Sequence, residues 1–344
     1  MSAFLVIAPQ GLGDALEATV IVGAIKEALP EAVIDVAVLR PGPRRLFELL
    51  SGYVDDVRYY PYWERGIAAF GGALLRSLSR PRRYEASFLA YPAARPEYHV
   101  LSRMHGAEKR VAHDYWPGSW SSMQWLQNVL VPVSRSHNVQ RNLDLVRAIG
   151  IEPRADLSYL VPPAWVVDGD KGSRIAIHVG TVTHHGLDHK RWPVDRFSEL
   201  ARRLAVGGFD VCVISGPDER AESRRIVDVV QGTRLVEGAL DDVARFLSGC
   251  AAAVTNDSGI GHLAAAVGTP TLALHGPTPV EGGPYGPRAV RFRPSPCPAC
   301  FDPRRRNTSC ALGIDFACLT RDLTVDAVEE RLHALVQERK AART

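Results

Sequence analysis

Short apolar runs alternate with longer segments of helical periodicity from the beginning of the chain. A glycine-rich turn at 10–14 and a helical pattern at 15–29 separate the first two apolar runs. Apolar runs of this length joined by a helix predict a β-α-β unit with parallel strands. The strand-like segments of this half are residues 4–8, 34–39, 54–60 and 86–91. Together they predict half of a doubly wound sheet.

The same alternation begins again after a proline-bearing stretch at 160–163, which is typical of a linker. The strand-like segments of the second half are residues 174–180, 210–214, 252–255 and 271–275. The pattern therefore predicts an α/β fold of two Rossmann-like doubly wound domains that face each other across a cleft. The expected domains are residues 1–163 and 164–322, and the helix within 323–344 is expected to pack back toward the N-terminal domain.

The composition is typical of two globular domains and excludes several classes of protein. The chain has 344 residues, of which 46% are hydrophobic and 23% charged, well outside the range of disordered proteins. The 41 Lys and Arg against 38 Asp and Glu leave a net charge of +3, too small to indicate a nucleic-acid partner. No apolar stretch approaches the roughly 18 uninterrupted residues of a membrane span. We therefore expect a cytoplasmic protein, with association at the inner face of the membrane left open.

One strand of the second half leads into a segment of small residues at 256–262 that opens a helix. The backbone N–H groups at such a helix start lie at the positive end of the helix dipole and favour a phosphate group. Ser258 and His262 are four residues apart, so they share one face near this terminus. The alternative is that Asp257 or Ser258 only caps the helix and that His262 is structural.

Two other local patterns place charged residues beside helix starts. Lys190 precedes a helix with Pro193 in its first turn, and it would reach an anion at a neighbouring helix start, although a solvated lysine fits the spacing better. Asp14 follows a turn that lacks the third glycine of the dinucleotide-binding fingerprint. With Glu17 three residues later, Asp14 fits the N-cap of a capping box, and the functional alternative is a general base.

Seven short motifs follow one another across nearly the whole chain, at 11–14, 175–180, 190–193, 216–220, 255–266, 268–270 and 275–278. Each motif alone is modest, but the ordered set is specific. In these motifs the chain resembles glycosyltransferase family 9, the heptosyltransferase family. The resemblance implies a GT-B fold and a metal-independent, inverting transfer of a sugar from a nucleotide donor, usually ADP-heptose.

The resemblance also assigns roles to individual residues. It implies an acceptor-binding N-terminal domain in which Asp14 is the general base, and a C-terminal domain that binds the nucleotide sugar. The implied donor-binding residues are Lys190, Glu219, Gly238, Asp257, Ser258, Gly259 and His262. The diphosphate would lie against Lys190 and the start of the helix after Ser258. Glu219 would bond the ribose, and the main chain around Gly238 would face the base.

The first turn departs from the family pattern at a position that bears on the acceptor. Family members of lipopolysaccharide synthesis have a Lys or Arg after the first strand, which helps to hold an anionic acceptor, whereas this chain has Ala8-Pro9-Gln10. The arginines that would have to compensate are Arg44, Arg45, Arg58 and Arg65. We expect the inner core of lipopolysaccharide as the acceptor, with a protein hydroxyl or a small natural product as alternatives. A catalytically inactive nucleotide-sugar-binding protein is a further alternative, which the presence of the base and the diphosphate residues disfavours.

Four of the six cysteines fall in one C-terminal segment, at Cys297, Cys300, Cys310 and Cys318. Cys297 and Cys300 have metal-ligand spacing, and four thiolates suit tetrahedral zinc or iron. Similar cysteine sets in the family's protein heptosyltransferases resemble an iron-binding finger. We expect a structural zinc or iron ion here and no metal in catalysis, with reduced thiols or two local disulfides as the alternatives.

Overall fold

The computed structural model describes residues 1–79, 82–116, 118–169, 171–181, 190–300 and 309–341. The chain divides into two units, Met1–Pro162 and Pro163–Thr344. This division falls within the proline-bearing stretch that the sequence indicates as a linker. Each unit is an α/β structure with its own six-stranded sheet.

The strands of the first unit are β1 (Ala3–Ala8), β2 (Val33–Val38), β3 (Asp56–Tyr59), β4 (Ala86–Leu89), β5 (Lys109–Asp114) and β6 (Val129–Pro132). They form a parallel sheet in the order β3-β2-β1-β4-β5-β6, which is the order of a doubly wound dinucleotide-binding fold. β1 and β2 pair from Ala3 opposite Val33 to Ala8 opposite Val38. Every residue of β1 is buried, because the central strand of such a sheet is covered on both faces.

The helices of the first unit are α1 (Leu12–Ala28), α2 (Pro41–Leu49), α3 (Tyr62–Leu78), α4 (Pro96–Met104) and α5 (Asn138–Arg147). α1 is buried over most of its length, since it packs against β1, α2 and α5. Its sequence is accordingly apolar on nearly all sides, as expected for a helix without a solvent face. The left-handed backbone of Gly66, with φ of 73°, interrupts α3.

The strands of the second unit are β7 (Arg174–His178), β8 (Asp210–Ile214), β9 (Arg234–Val236), β10 (Ala252–Asn256), β11 (Thr271–Leu274) and β12 (Ala289–Phe292). Their order is β12-β11-β10-β7-β8-β9, again with every neighbouring pair parallel. Numbered from β7, this is the same winding as in the first unit. The α/β class and the two doubly wound sheets predicted from the sequence are therefore confirmed.

The helices of the second unit are α6 (Val194–Val206), α7 (Arg220–Val229), α8 (Leu240–Ser248), α9 (Gly259–Ala266), α10 (Ala317–Thr320) and α11 (Val325–Ala341). α11 contacts α6, β10 and β11 of its own unit. Its side chains Val328, Leu332 and Leu335 are buried in the core of that unit, which also contains Trp192. These contacts bury the apolar stripe of the helix in the second unit, and its expected packing toward the N-terminal domain stays a prediction. No helix within the described ranges has the length and hydrophobicity to span a membrane.

Candidate functional site

The carboxyl ends of β7 and β10 form the topological switch point of the second sheet. β8 and β9 lie on one side of β7, and β10, β11 and β12 lie on the other. Connections therefore leave in opposite directions, and open α/β sheets bind ligands in the crevice that this creates. The predicted donor residues are found here: Glu219 follows β8, Gly238 follows β9, and Asp257 and Ser258 follow β10.

Lys190 and Asp257 form a charged pair at this edge of the sheet. Lys190 Nζ is 3.5 Å from Asp257 Oδ2, and their side chains are 16% and 13% exposed. Burial alone would raise the pKa of the Asp257 carboxyl, but the ammonium of Lys190 and a hydrogen bond from Thr278 help to bring it down to about 2. Asp257 is therefore ionised at neutral pH and holds Lys190 next to the start of α9.

Two buried histidines stand beside this pair. Burial lowers the pKa of His262 to about 4, and its ring is hydrogen-bonded to the backbone of Gly282. Burial also lowers the pKa of His275, whose Nδ1 is 3.4 Å from the Thr278 hydroxyl. Both imidazoles are neutral at pH 7, so the positive charge next to Asp257 comes from Lys190.

Glu219 precedes α7, and its carboxylate turns back toward the sheet. Glu219 Oε1 accepts a hydrogen bond from the Gly216 N–H at 2.7 Å and lies 3.0 Å from His178 Nε2. Burial alone would raise the pKa of Glu219, but its contacts with His178 and Gly216 outweigh burial and leave the pKa below its usual value. A Cβ on Gly180 would lie 2.5 Å from the carboxyl carbon of Glu219. The absence of a side chain at residue 180 is therefore what makes room for this carboxylate.

Ser258 immediately precedes α9, but its hydroxyl does not cap the helix. Ser258 Oγ is 3.2 Å from His178 Nδ1, and the side chain makes no capping hydrogen bond. The Ser258 side chain therefore does not cap the backbone N–H groups of the turn that begins at Gly259, and such groups favour an anion. The helix also approaches the sheet closely, since a Cβ on Gly261 would lie 2.6 Å from Thr255 Oγ1.

Gly238 lies in an exposed loop between β9 and α8. The preceding residue, Glu237, pairs with Arg220 at 2.7 Å. Because Arg220 is the first residue of α7, this pair ties the loop to the helix that Glu219 precedes. The loop is thereby held at the same edge of the sheet as the other predicted donor residues.

Three members of this network have no role predicted from the sequence: His178, His275 and Thr278. Thr278 and His275 lie close to Asp257 without being next to it in the chain, so no local pattern connects them. The position of His178 in the sequence did indicate a functional residue. It ends a strand whose other buried residues are Ile175, Ala176 and Ile177, and a polar residue at the end of such a strand is often directed at a ligand.

In the first unit, Asp14 lies in the first turn of α1, after the carboxyl end of β1. The helix begins at Leu12 with Gly11 as N-cap, and the Gly11 N–H donates to Asp14 Oδ2 at 3.3 Å. The expectation that Asp14 is the N-cap and Glu17 its partner is therefore wrong, because the glycine turn starts the helix earlier. Glu17 is instead buried and accepts a hydrogen bond from Asn138 Nδ2 at 3.0 Å. Asp14 remains partly exposed.

Cationic and aromatic side chains surround the carboxyl edge of the first sheet. The guanidinium carbons of Arg95 and Arg40 lie 4.5 and 5.3 Å from the centre of the Trp63 ring. Arg58 does not belong to this group, since its side chain is 8% exposed and pairs with Asp35 at 2.8 Å. The idea that Arg58 replaces the basic residue missing after β1 is therefore wrong.

The four C-terminal cysteines line one small cavity. Cys297, Cys300, Cys310 and Cys318 face it together with apolar side chains. Hydrogen bonds from the backbone of residues 314 and 316 lower the pKa of Cys310, whereas burial raises that of Cys318. None of the four is in a disulfide, so the alternative of two local disulfides is not what the structure contains. Within the described part of the chain, no three His, Cys, Asp or Glu side chains are gathered into a formed metal-ligand set.

Known proteins that resemble this chain identify its family and its fold. The profile of glycosyltransferase family 9 (heptosyltransferase) matches residues 99–310, which is more than half of the chain. The chain belongs to this family. Lipopolysaccharide heptosyltransferase 1 of Pseudomonas aeruginosa is 36% identical over 116 residues, which are 33% of this chain and 33% of that protein. The first curated relatives are covered over only 28% to 43% of their length.

Solved structures match over far more of the chain. E. coli heptosyltransferase WaaC with ADP has a TM-score of 0.74 at 19% identity, over 97% of this chain and 99% of that chain. The iron-containing dodecameric glycosyltransferase TibC from enterotoxigenic E. coli has a TM-score of 0.60 at 16% identity, over 98% of this chain and 76% of that chain. These likenesses confirm the GT-B fold predicted from the sequence.

Proposed function

We propose that this protein is a heptosyltransferase that moves a heptose from an ADP-sugar to a hydroxyl of the lipopolysaccharide inner core, with inversion at the anomeric carbon. The observation that carries the proposal is the meeting of Lys190, Glu219 and the uncapped start of α9 at one switch point. A cation and backbone N–H groups suit a diphosphate, and an ionised carboxylate suits ribose hydroxyls. The names of the relatives support the same donor and acceptor, since one is a lipopolysaccharide heptosyltransferase and WaaC was solved with ADP.

The donor site would act mainly on the leaving group. Negative charge develops on the phosphate oxygen as its bond to the anomeric carbon breaks. Lys190 and the N–H groups at Gly259 would stabilise that charge, and His262 would contact the diphosphate from the same helix. Asp257 would hold the ammonium of Lys190 in place and accept hydrogen bonds from sugar hydroxyls. The protein itself supplies the positive charge in this scheme, so the transfer would not depend on a divalent cation.

Asp14 would take the proton of the acceptor hydroxyl as that oxygen attacks the anomeric carbon. Attack from the side opposite to the leaving diphosphate, in one step, inverts the anomeric configuration. The Asp14 carboxylate is held by the Gly11 N–H and is partly exposed, which favours its access to a hydroxyl. General base catalysis of this kind typically contributes about 10²–10⁴-fold.

The acceptor would bind at the carboxyl edge of the first sheet. Asp14, Arg40 and Arg95 all act electrostatically on the buried hydroxyl of Tyr98, which supports their being near one another. Arg40 and Arg95 would bind a carboxylate or phosphate of an acidic inner-core sugar, and the Trp63 ring would pack on the sugar face. These arginines would replace the basic residue missing after β1. An acceptor of this kind is anchored in the membrane, so the enzyme would work at its cytoplasmic face.

We also propose that Cys297, Cys300, Cys310 and Cys318 hold a structural zinc or iron ion. Four thiols on one cavity are a donor set that both metals accept, and backbone N–H groups favour the thiolate at Cys310. The related structure of TibC is iron-containing. The ion would tie the chain around Cys297 to the chain around Cys318 and take no part in the transfer.

Thermal unfolding with a panel of nucleotides tests the donor. ADP, GDP, UDP, CDP and ADP-heptose are compared, and a ligand at about 100 times its Kd stabilises by roughly 2.7 kcal/mol. We expect stabilisation by ADP and ADP-heptose and not by the other nucleotides. Selective stabilisation by another nucleotide would mean that the donor sugar is carried by that nucleotide. No response to any of them would overturn the donor site.

Mass spectrometry of the acceptor tests the reaction. Lipopolysaccharide that lacks heptose is incubated with ADP-heptose and the protein, and we expect a mass gain of one heptose. A protein substrate and a small hydroxylated natural product are the comparison acceptors. Transfer to either of them, with none to lipopolysaccharide, would contradict the proposed acceptor and leave the donor standing.

A further inference from the structure

His178, the last residue of β7, bonds to two members of the donor site through its two ring nitrogens. Its Nε2 is 3.0 Å from Glu219 Oε1, and its Nδ1 is 3.2 Å from Ser258 Oγ. The three residues are 5%, 6% and 9% exposed, in the order His178, Glu219, Ser258. Glu219 follows β8 and Ser258 follows β10, the two strands that flank β7. The imidazole therefore bridges the switch point from its centre.

Both partners of His178 are N-cap residues, and their side chains bond to His178 and not to the backbone of the helices that they precede. Glu219 is the N-cap of α7 and Ser258 is the N-cap of α9, and neither makes a side-chain capping bond. A serine at this position usually accepts a hydrogen bond from the helix backbone and stabilises it. The serine cap given up in favour of the imidazole indicates a function other than helix stability.

The directions of these hydrogen bonds follow from the charge of Glu219. Hydrogen bonding keeps the pKa of Glu219 low in spite of burial, so its carboxylate accepts and His178 Nε2–H donates. With the ring proton on Nε2, Nδ1 accepts from the Ser258 hydroxyl. Both hydrogen bonds that Glu219 accepts within the described residues end on Oε1, so neither of them uses Oε2.

We propose that His178 is the positioning residue of the donor site, which sets Glu219 for the ribose and Ser258 for the diphosphate. By drawing the Ser258 hydroxyl away from the helix, it keeps the start of α9 open for phosphate oxygens. This inference rests on the proposed function, because it assigns the two partners to the two halves of a nucleoside diphosphate. Gly180 agrees with it, since any side chain there would push Glu219 away from His178.

Two conservative substitutions separate the two bonds. His178→Gln places an amide N–H₂ near the position of Nε2 and keeps the donor to Glu219. His178→Asn places an amide oxygen near the position of Nδ1 and keeps the acceptor for Ser258. His178→Leu keeps neither bond, and His333→Gln, on the exposed part of α11, is the matched control. Calorimetry on the full chain gives the affinities for adenosine and ADP, and their ratio reports the contribution of the diphosphate.

The Gln and Asn variants are expected to lose the affinity contributed by different halves of ADP, the diphosphate and the adenosine. His178→Gln should bind adenosine within about twofold of the unsubstituted protein and lower the ADP-to-adenosine ratio about tenfold. His178→Asn should lower adenosine affinity about tenfold and keep the ratio. His178→Leu should lose both contributions, and His333→Gln neither. A merely structural histidine would leave the ADP-to-adenosine ratio unchanged in His178→Gln as well as in His178→Asn.

The outcomes separate this inference from the function on which it rests. An unchanged ADP-to-adenosine ratio in His178→Gln, or full affinity in His178→Leu, would overturn the role of His178 and leave the donor site intact. An unsubstituted protein that binds neither adenosine nor ADP would overturn the donor site, and the positioning role with it. Unfolding temperatures of all variants show whether a loss of affinity reflects a loss of folded protein.

Discussion

Lys190 Nζ and Asp257 Oδ2 lie 3.5 Å apart, and neither side chain is more than 16% exposed. Replacing Lys190 with Met leaves a nearly buried carboxylate without its ammonium partner. Breaking such a pair from one side typically costs about 3–5 kcal/mol, so we expect the free energy of unfolding to fall by about 3 kcal/mol in denaturant titrations. ADP affinity should fall at least about tenfold, because the diphosphate also loses its cation.

The double variant Lys190→Met with Asp257→Asn separates these two effects. Removing both charges leaves no uncompensated carboxylate, so stability should return to within about 1 kcal/mol of the unsubstituted protein. ADP affinity should stay low, because nothing restores the cation. Recovery of ADP affinity in the double variant would show that Lys190 only neutralises Asp257.

Asp14→Asn tests the general base without removing the contact that holds the side chain. The amide oxygen of the substituted side chain can still accept the Gly11 N–H, so only the charge at the helix N-terminus is lost, with a cost of about 0.3–1 kcal/mol. We expect the transfer rate to fall about 10²–10⁴-fold with ADP affinity unchanged. Glu27→Gln, an exposed charge removed from the other end of α1, is the control and should keep full activity. Full activity in a folded Asp14→Asn protein would exclude this carboxylate as the base.

The buried pair of Arg58 and Asp35 should contribute to stability and not to acceptor binding. Arg58 Nη2 is 2.8 Å from Asp35 Oδ2, and Tyr84 and Arg82 also bond to this carboxylate. Arg58→Met should lower the free energy of unfolding by about 3–5 kcal/mol, measured with denaturant. Arg44→Met is the control, because Arg44 and Glu48 form an exposed pair on α2 that is worth at most about 0.5 kcal/mol. Equal effects of the two substitutions would contradict the structural role of Arg58.

The extent to which the sequence predicts this fold depends on how deeply each element is buried. β1 and β10 are buried throughout and are predicted to within about one residue, because burial on both faces leaves an apolar run. β6, β9 and β12 lie at the sheet edges and contain no fully buried residue, so no such run marks them. For α11 the apolar stripe is visible in the sequence, but the surface that covers it comes from distant segments.

The candidate site, like the fold, is predictable from the sequence only where a local pattern marks it. A helix start that admits an anion needs small residues next to each other, so Ser258 and Gly259 are visible as a local pattern. The contacts of His178 with Glu219 and Ser258 join residues 41 and 80 positions apart. These residues come together only because of the strand order, which cannot be predicted from their spacing in the sequence. For the same reason a surface arginine and the buried Arg58 could not be told apart.

His99 should make the protein less stable in acid. Its ring is fully buried in α4, neither ring nitrogen has a hydrogen-bond partner within the described residues, and burial lowers its pKa to about 4. Between pH 6.5 and 4 the unfolded chain therefore takes up a proton that the folded chain does not. As the pH falls over this window, the free energy of unfolding should decrease by roughly 3 kcal/mol for such a histidine. Above pH 6.5 this histidine should cause no pH dependence of the free energy of unfolding.

His99→Leu should remove this dependence. It replaces an unpartnered polar ring with an apolar side chain, so we expect higher stability at pH 7 and a flatter profile between pH 6.5 and 4. Part of the slope should remain, because burial also lowers the pKa of His105 and His262 to about 4. His333→Leu is the control, since that side chain is 43% exposed. An unchanged slope in His99→Leu would mean that its ring is protonated or hydrogen-bonded in the folded protein.

The cysteine cavity should bind about one equivalent of zinc or iron per chain, measured by elemental analysis of protein purified without chelator. Four thiols face one cavity, and backbone hydrogen bonds favour the thiolate at Cys310, as metal ligation requires. Cys297→Ser and Cys310→Ser should each lose the metal, whereas Cys212→Ser, in the core of the second unit, should retain it. Because the ion is expected to be structural, chelation should lower the unfolding temperature and leave the transfer rate unchanged at 25 °C. Less than about a tenth of an equivalent in fully active protein would instead establish these residues as reduced thiols.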